Sequence, residues 1–264
     1  MFRSWVSLLV GLCWLSTGQS REIDFSRGQW VDLSHAYSDE TLYWPTAEGF
    51  RKTTVFEGIT EGGWYYSAYD IATAEHGGTH LDAPIHFFPE RDTADQVPLE
   101  RLIGDAVVID VTGAAALDPD YQATTEDLQR WEAEHGVIPP GTIVLLRTGF
   151  AAHWPDAEAY LGTAQRGEAA VAKLHFPGIH PGLARALVHR QVAAVGLDTA
   201  SVDFGQSVEF MTHRILFEAN IPGFENLADL SGLPPTGAFV VALPMKIEGG
   251  SGAPMRVVAF VAGD

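Results

Sequence analysis

Cysteine is all but absent: Cys13 is the single one in 264 residues, so no disulfide framework can form within the chain. Basic residues are scarce as well. Lys and Arg number 16 against 34 Asp and Glu, a formal net charge of −18. A surface this negative repels phosphate backbones and anionic lipid, which excludes nucleic acid as a partner. There is no internal repeat, low-complexity tract or long linker across residues 21–264, so that span reads as one domain. There is also no Gly-x-Ser-x-Gly elbow to supply a nucleophilic serine. What is present is 46% hydrophobic residues, 27 Gly and 15 Pro, a composition that excludes disorder and coiled coil and fits a folded, loop-rich protein.

The N-terminus reads as a leader. Arg3 precedes an apolar run from Trp5 to Leu15, followed by the small and polar residues Ser16 to Ser20. That layout predicts a secretory signal peptide over residues 1–20, and the run is too short to span a bilayer. The expectation is export to a periplasm or the medium, with no membrane association after cleavage. Loss of the leader removes Cys13, so a metal in the mature chain would have only nitrogen and oxygen ligands.

Apolar, β-branched runs predict buried strands at Gln29–Ser34, Ala106–Val111, Thr142–Arg147, Val192–Leu197, Ala238–Leu243 and Met255–Val261. Thr124 with acids at Glu126 and Asp127 opens one predicted helix, which stops near Gly136. Pro181 opens another, ending at His189 and Arg190. Alternating strands and helices predict an α/β layered core. Two long Gly/Pro-rich stretches, 44–100 and 199–236, read as irregular, and long ordered loops usually carry function.

The first of those stretches contains His76-Gly-Gly-Thr-His80-Leu-Asp82-Ala-Pro84-Ile-His86. Three histidines and an aspartate fall within eleven residues of a chain that has ten histidines. Gly77, Gly78 and Pro84 oppose a helix here, and the Thr-His-Leu-Asp alternation reads as extended. An extended piece places His80 and Asp82 on one face, with His76 free to swing in through the glycines. Imidazoles and a carboxylate converging on one point suit a divalent cation such as Zn or Mn. The second stretch adds His213 and Glu225 as complementary groups. His35 ends a predicted strand near this region and is a candidate lining residue. His135, His153, His175, His180 and His189 read as surface or helix-end residues.

The Gly-Thr-His-Leu-Asp-Ala-Pro-Ile-His string resembles the signature of the cyclase-like metal-dependent hydrolases, which include bacterial kynurenine formamidases and isatin hydrolases. Val31-Asp32-Leu33-Ser34, Tyr43-Trp44-Pro45 and Gly196-Leu197-Asp198-Thr199 extend the resemblance over nearly all of residues 29–261. It implies an α/β fold, a single swivelling β/β/α-type domain with a mixed sheet, and a dimer or tetramer. It implies that His76, His80 and Asp82 bind a first metal, and that Asp82 bridges to a second ion, where one is bound, alongside His213 and Glu225. It gives His86 the role of general acid/base and Trp44 that of an aromatic stacked on the substrate. Pro45-Thr46-Ala47 departs from the Pro-Gly-Asp usual in the formamidases, and Ser201–Ser207 is closer to the isatin hydrolases.

The chemistry these residues suit is hydrolysis of a small aryl amide, N-formyl or cyclic. A divalent cation acidifies water and polarises a carbonyl, and a histidine can carry the proton to the leaving nitrogen. Two other readings stand beside it. One is a non-haem iron oxygenase built on His80, Asp82 and His213, which leaves His76, His86 and Glu225 unused. The other is an exported metal-binding protein without activity.

Overall fold

The computed structural model describes residues 23–263; the leader expected at 1–20 lies outside them. The strands run in chain order as β1 (Gly28–Asp32), β2 (Arg51–Ile59), β3 (Tyr65–Ala72), β4 (His80–Asp82), β5 (Ile103–Asp110), β6 (Gln122–Ala123), β7 (Ile143–Arg147), β8 (Gly178–Ile179), β9 (Ala194–Leu197), β10 (Gly223–Glu225), β11 (Thr236–Pro244) and β12 (Gly252–Ala262). Eight of them form a mixed sheet in the order β1-β12-β11-β5-β7-β9-β10-β4. β5, β7, β9 and β10 are parallel neighbours, and the remaining pairings are antiparallel. β4 pairs with β12 as well as with β10, so the sheet curls back on itself.

Apolar side chains on both faces explain the central strands. Val107, Ile109, Val144, Leu146, Val195 and Leu197 pack outward against a helical layer, and Ala106, Val108, Ile143, Leu145 and Ala194 pack inward with Leu81, Phe224 and Val257. A strand covered on both faces loses the polar alternation of a half-exposed one, and the sequence shows this as unbroken apolar runs. The helices are α1 (Leu99–Leu102), α2 (Thr112–Ala115), α3 (Thr125–His135), α4 (Ala157–Leu161), α5 (Glu168–Val171), α6 (Pro181–His189) and α7 (Met211–Glu218). α3 begins in a capping box in which the Asp127 carboxylate accepts the Thr124 N–H at 2.7 Å. α6 carries Pro181 at its first position, with His180 Nδ1 accepting the Gly182 N–H at 3.0 Å. A cap of this kind stabilises a helix by about 1 kcal/mol.

The two stretches read as irregular contain regular structure. Residues 44–100 hold the β2–β3 hairpin and β4, and 199–236 holds α7 and β10. The hairpin lacked a strand signature because its apolar residues sit on both faces. A bulge between Thr54 and Phe56 also interrupts the alternation.

Candidate active site

Sheet register assembles the centre of the site. β4 lies between β10 and β12, with His80 opposite Glu225 and Asp82 opposite both Gly223 and Gly252. Directly opposed residues of an antiparallel pair share a face, as do residues two apart in a strand. His80, Asp82 and Glu225 therefore point the same way, and all three are buried. His76 arrives from the preceding turn, which Gly78 closes with φ 56°. Gly252 makes room for it: a Cβ there would stand 2.5 Å from His76 Cε1. His213 enters from the first turn of α7. His86 ends a single 3-10 turn, Pro84–His86, and its ring stacks on His76 with centroids 3.9 Å apart.

Outer partners assign the ring protons. His80 Nδ1 faces the Gly78 carbonyl at 2.9 Å and must donate to it. His213 Nδ1 donates to Asp203 Oδ2 at 2.6 Å. Ser251 Oγ gives its one proton to Glu75 Oε2 at 2.7 Å, so it accepts from His76 Nε2 at 3.0 Å. Each imidazole thus spends a proton outward and turns its other nitrogen inward. His76 Nδ1 lies 2.7 Å from Asp82 Oδ1, and His80 Nε2 lies 3.1 Å from the same oxygen. His213 Nε2 lies 3.2 Å from Asp82 Oδ2 and 3.3 Å from Glu225 Oε1. His80 Nε2 is buried and makes no hydrogen bond.

Three inward nitrogens and two carboxylates converge, then, with only acceptors facing one another. Such a cluster is satisfied by added positive charge. Without an ion, protons fill the role. Burial disfavours a charged His213, yet Asp203, Asp82 and Glu225 together raise its pKa well above the usual value. Burial likewise opposes a charge on His80, and Asp82 and Glu225 still raise its pKa. Burial pushes Asp82 up, but His76, His213 and His80 hold it well below the usual carboxylate range. Glu225 is raised, by burial first and by the Asp82 charge second. Two groups of three candidate ligands, His76–Asp82–His86 and His80–Asp82–Glu225, have their ligand atoms within 4.8 Å of one another and share Asp82. The donor set is entirely nitrogen and oxygen, as Zn and Mn accept.

A cavity of about 290 Å³ opens above this cluster. Leu42, Trp44, Phe87, Leu161 and Phe210 form its apolar walls; His86, Ser201 and Asn226 are among its polar ones, and among the described residues no Lys or Arg lines it. Burial pushes the His86 pKa down to about 4, while the residue keeps an exposed edge toward the pocket. The structure therefore brings together every site residue expected from sequence except His35. That ring stacks on Trp154 at 4.1 Å and lines a separate groove. The sequence reading missed Glu75, Ser251 and Asp203 as outer partners, and Phe87, Phe210 and Asn226 as lining residues. Asp203 alone had a signal, since it lies in the Ser201–Ser207 segment already singled out.

An α/β fold whose mixed sheet carries an N/O donor cluster under an aromatic pocket defines the class: a scaffold with a candidate metal centre at the base of a small-molecule pocket. The comparisons with known proteins narrow it. The Cyclase family model, described as "Putative cyclase", matches residues 31–204. The isatin hydrolase of Roseibium aggregatum is 35% identical over 199 residues, covering 72% of this chain and 73% of its own. The kynurenine formamidase of Salinibacter ruber is 28% identical over 234 residues, covering 86% and 95%. The structure of isatin hydrolase A from Labrenzia aggregata, bound to benzyl benzoate, superposes with TM-score 0.80 at 32% identity, covering 89% of this chain and 94% of that one. The chain belongs to the cyclase family and is a hydrolase of that family.

Proposed function

We propose that this protein is an exported hydrolase that opens the C–N bond of a small, uncharged aryl amide, with a cyclic amide such as isatin as the preferred type. The observation that carries this reading is the convergence of three inward-facing ring nitrogens and two carboxylates beneath an aromatic pocket that no described Lys or Arg lines. The isatin hydrolase relatives support the cyclic amide. N-formylkynurenine, the substrate type of the formamidase relatives, carries an amino-acid carboxylate. Among the described residues no Lys or Arg lines the pocket to pair with that carboxylate, and an unpaired buried charge weakens binding by several kcal/mol. A flat neutral ring incurs no such cost.

His76, His80, Asp82, His213 and Glu225 would hold Zn or Mn, as one or two ions. Bound there, such an ion supplies Lewis acidity toward a carbonyl and lowers the pKa of a water. The chain's own residues do the rest. Trp44, Phe87 and Phe210 sandwich the aromatic ring and exclude bulk water. His86, neutral at pH 7, takes a proton from the attacking water through its exposed edge as the new C–O bond forms. It returns that proton to the nitrogen as the C–N bond breaks, leaving a carboxylate and a free arylamine. Proton transfer of this kind contributes about 10²–10⁴-fold in rate.

The test is a hydrolysis screen of metal-reconstituted protein against isatin, N-formylkynurenine and simple lactones. The reading expects isatin to give the highest kcat/KM, and preference for N-formylkynurenine would refute the electrostatic argument. Oxygen consumption by iron-loaded protein without hydrolysis would move it to the oxygenases.

A further inference from the structure

The turn between His76 and His80 is built on two glycines. Gly77 and Gly78 sit at φ 152° and 56°, and a Cβ on either would run into the Tyr43 or the Tyr37 ring. Neither position can take a side chain, so the turn cannot be stiffened from within. Its carbonyls are held from outside. Tyr37 Oη lies 2.8 Å from Gly77 O and 2.6 Å from Thr79 O. The Gly78 carbonyl between them accepts from His80 Nδ1 at 2.9 Å and from Asn226 Nδ2 at 2.9 Å. Two donors fill both lone pairs of that oxygen.

Asn226 directly follows Glu225, is buried, and has a left-handed backbone at φ 51°. Its other polar groups are engaged as well. Oδ1 accepts the hydroxyl of buried Tyr160 at 2.9 Å. The Asn226 N–H donates to the Thr199 carbonyl at 2.8 Å, and the Asn226 carbonyl accepts the Thr79 hydroxyl at 2.7 Å. One residue therefore ties the end of β10 to α4, to the segment after β9 and to the turn before β4. The residue type follows from these demands. Gly, Asn and Asp take a left-handed backbone most readily. Gly has no amide, and an ionised Asp has no proton for the Gly78 carbonyl. Of the three, Asn alone combines that backbone with a donor and an acceptor.

We propose that Asn226 is a positioning residue of the centre: it latches the Gly77–Gly78 turn, fixes the carbonyl that takes the His80 Nδ1 proton, and so keeps His80 Nε2 turned toward Asp82 and Glu225. Without the amide, the Gly78 peptide is free to rotate and His80 loses its fixed acceptor. The latch acts through Gly78 and needs no contact with metal or substrate. This inference rests on the metal centre proposed above.

The test compares wild type with Asn226→Gly and Asn226→Ala. Both variants lack the amide; Gly accepts the left-handed backbone freely and Ala does not. In metal-free protein, hydrogen exchange is followed at the Gly78 N–H, which is bonded to the Leu42 carbonyl at 3.0 Å. It should quicken about fivefold in both variants, the worth of one hydrogen bond, over and above any change in β7, whose core amides report global opening. Affinity for Zn and Mn, by competition against a chromophoric chelator, should fall about 10-fold in both. Wild-type exchange at Gly78 in the variants overturns the latch. An effect in Asn226→Ala that is missing in Asn226→Gly assigns it to the backbone at 226 and overturns the role of the amide. A loosened turn with undiminished metal affinity shows that His80 is placed without Asn226, and overturns the positioning. A wild type that binds neither metal overturns the proposed centre and this inference with it.

Discussion

Asp203→Asn tests whether the outer partner of His213 sets which ring nitrogen faces the cluster. Asp203 accepts four hydrogen bonds: Oδ2 from His213 Nδ1 at 2.6 Å and His213 N at 3.1 Å, Oδ1 from Thr212 N at 3.1 Å and Ser207 Oγ at 3.2 Å. Asparagine has the same shape and caps a helix as well as aspartate does. It offers only one acceptor oxygen, however. If that oxygen stays with Thr212 N, the amide NH₂ faces His213 Nδ1, which must then accept. The ring proton moves to Nε2, 3.2 Å from Asp82 and 3.3 Å from Glu225, and blocks the nitrogen needed for a metal. If the oxygen stays with His213 instead, the NH₂ opposes the Thr212 N–H, and a charge-assisted bond becomes a neutral one. Losing an outer partner of a metal-binding histidine costs 10–100-fold in affinity, or about 1.4–2.8 kcal/mol. Metal-free stability should fall as well, by about 1.5–3 kcal/mol, the range for a hydrogen bond to a charged group. The assay is competition for Zn and Mn against a chromophoric chelator, beside thermal melts in EDTA. Wild-type affinity in a folded Asp203→Asn protein would refute the tautomer argument.

Replacing His80 or Asp82 with Ala should abolish both metal retention and activity; full occupancy of Asp82→Ala by elemental analysis would remove that residue from the site. His86→Ala should keep the metal while kcat falls by about 10²–10⁴-fold, and loss of metal with the fold intact would make His86 a ligand, as its position beside His76 and Asp82 also permits. Burial holds the His35 pKa down to about 4, so the folded chain resists a proton that the unfolded chain accepts near 6.5. Stability should accordingly decline as pH falls from about 6.5 to about 4, and His35→Phe should flatten that decline in melts across the range. Mass spectrometry of natively expressed protein should find an N-terminus between about Gly18 and Arg21, as the leader layout implies; an intact Met1 in a soluble cytosolic fraction would exclude cleavage.

The readable part of this protein lies where chemistry is local. Val107 to Ile109, Ile143 to Leu146 and Ala194 to Leu197 announce strands because both faces of each are covered. Thr124 and Asp127 announce the start of α3 because a cap is made within four residues. His76 to His86 announces a site because its ligand types crowd into one extended segment whose alternation survives in β4. Tertiary structure alone decided the rest. Ser251 reaches His76 from 175 positions away, because β12 pairs with β4 as well as with β11. Glu225 stands over His80 because of the β10–β4 register, and an isolated Glu carries no mark of its future neighbour. His35 looked like a pocket residue and packs on Trp154 instead, since a strand end specifies a position along the chain but not which cavity it faces. The β2–β3 hairpin escaped the periodicity reading because both of its faces are apolar: alternation appears in a sequence only when one side of a strand meets water and the other meets protein.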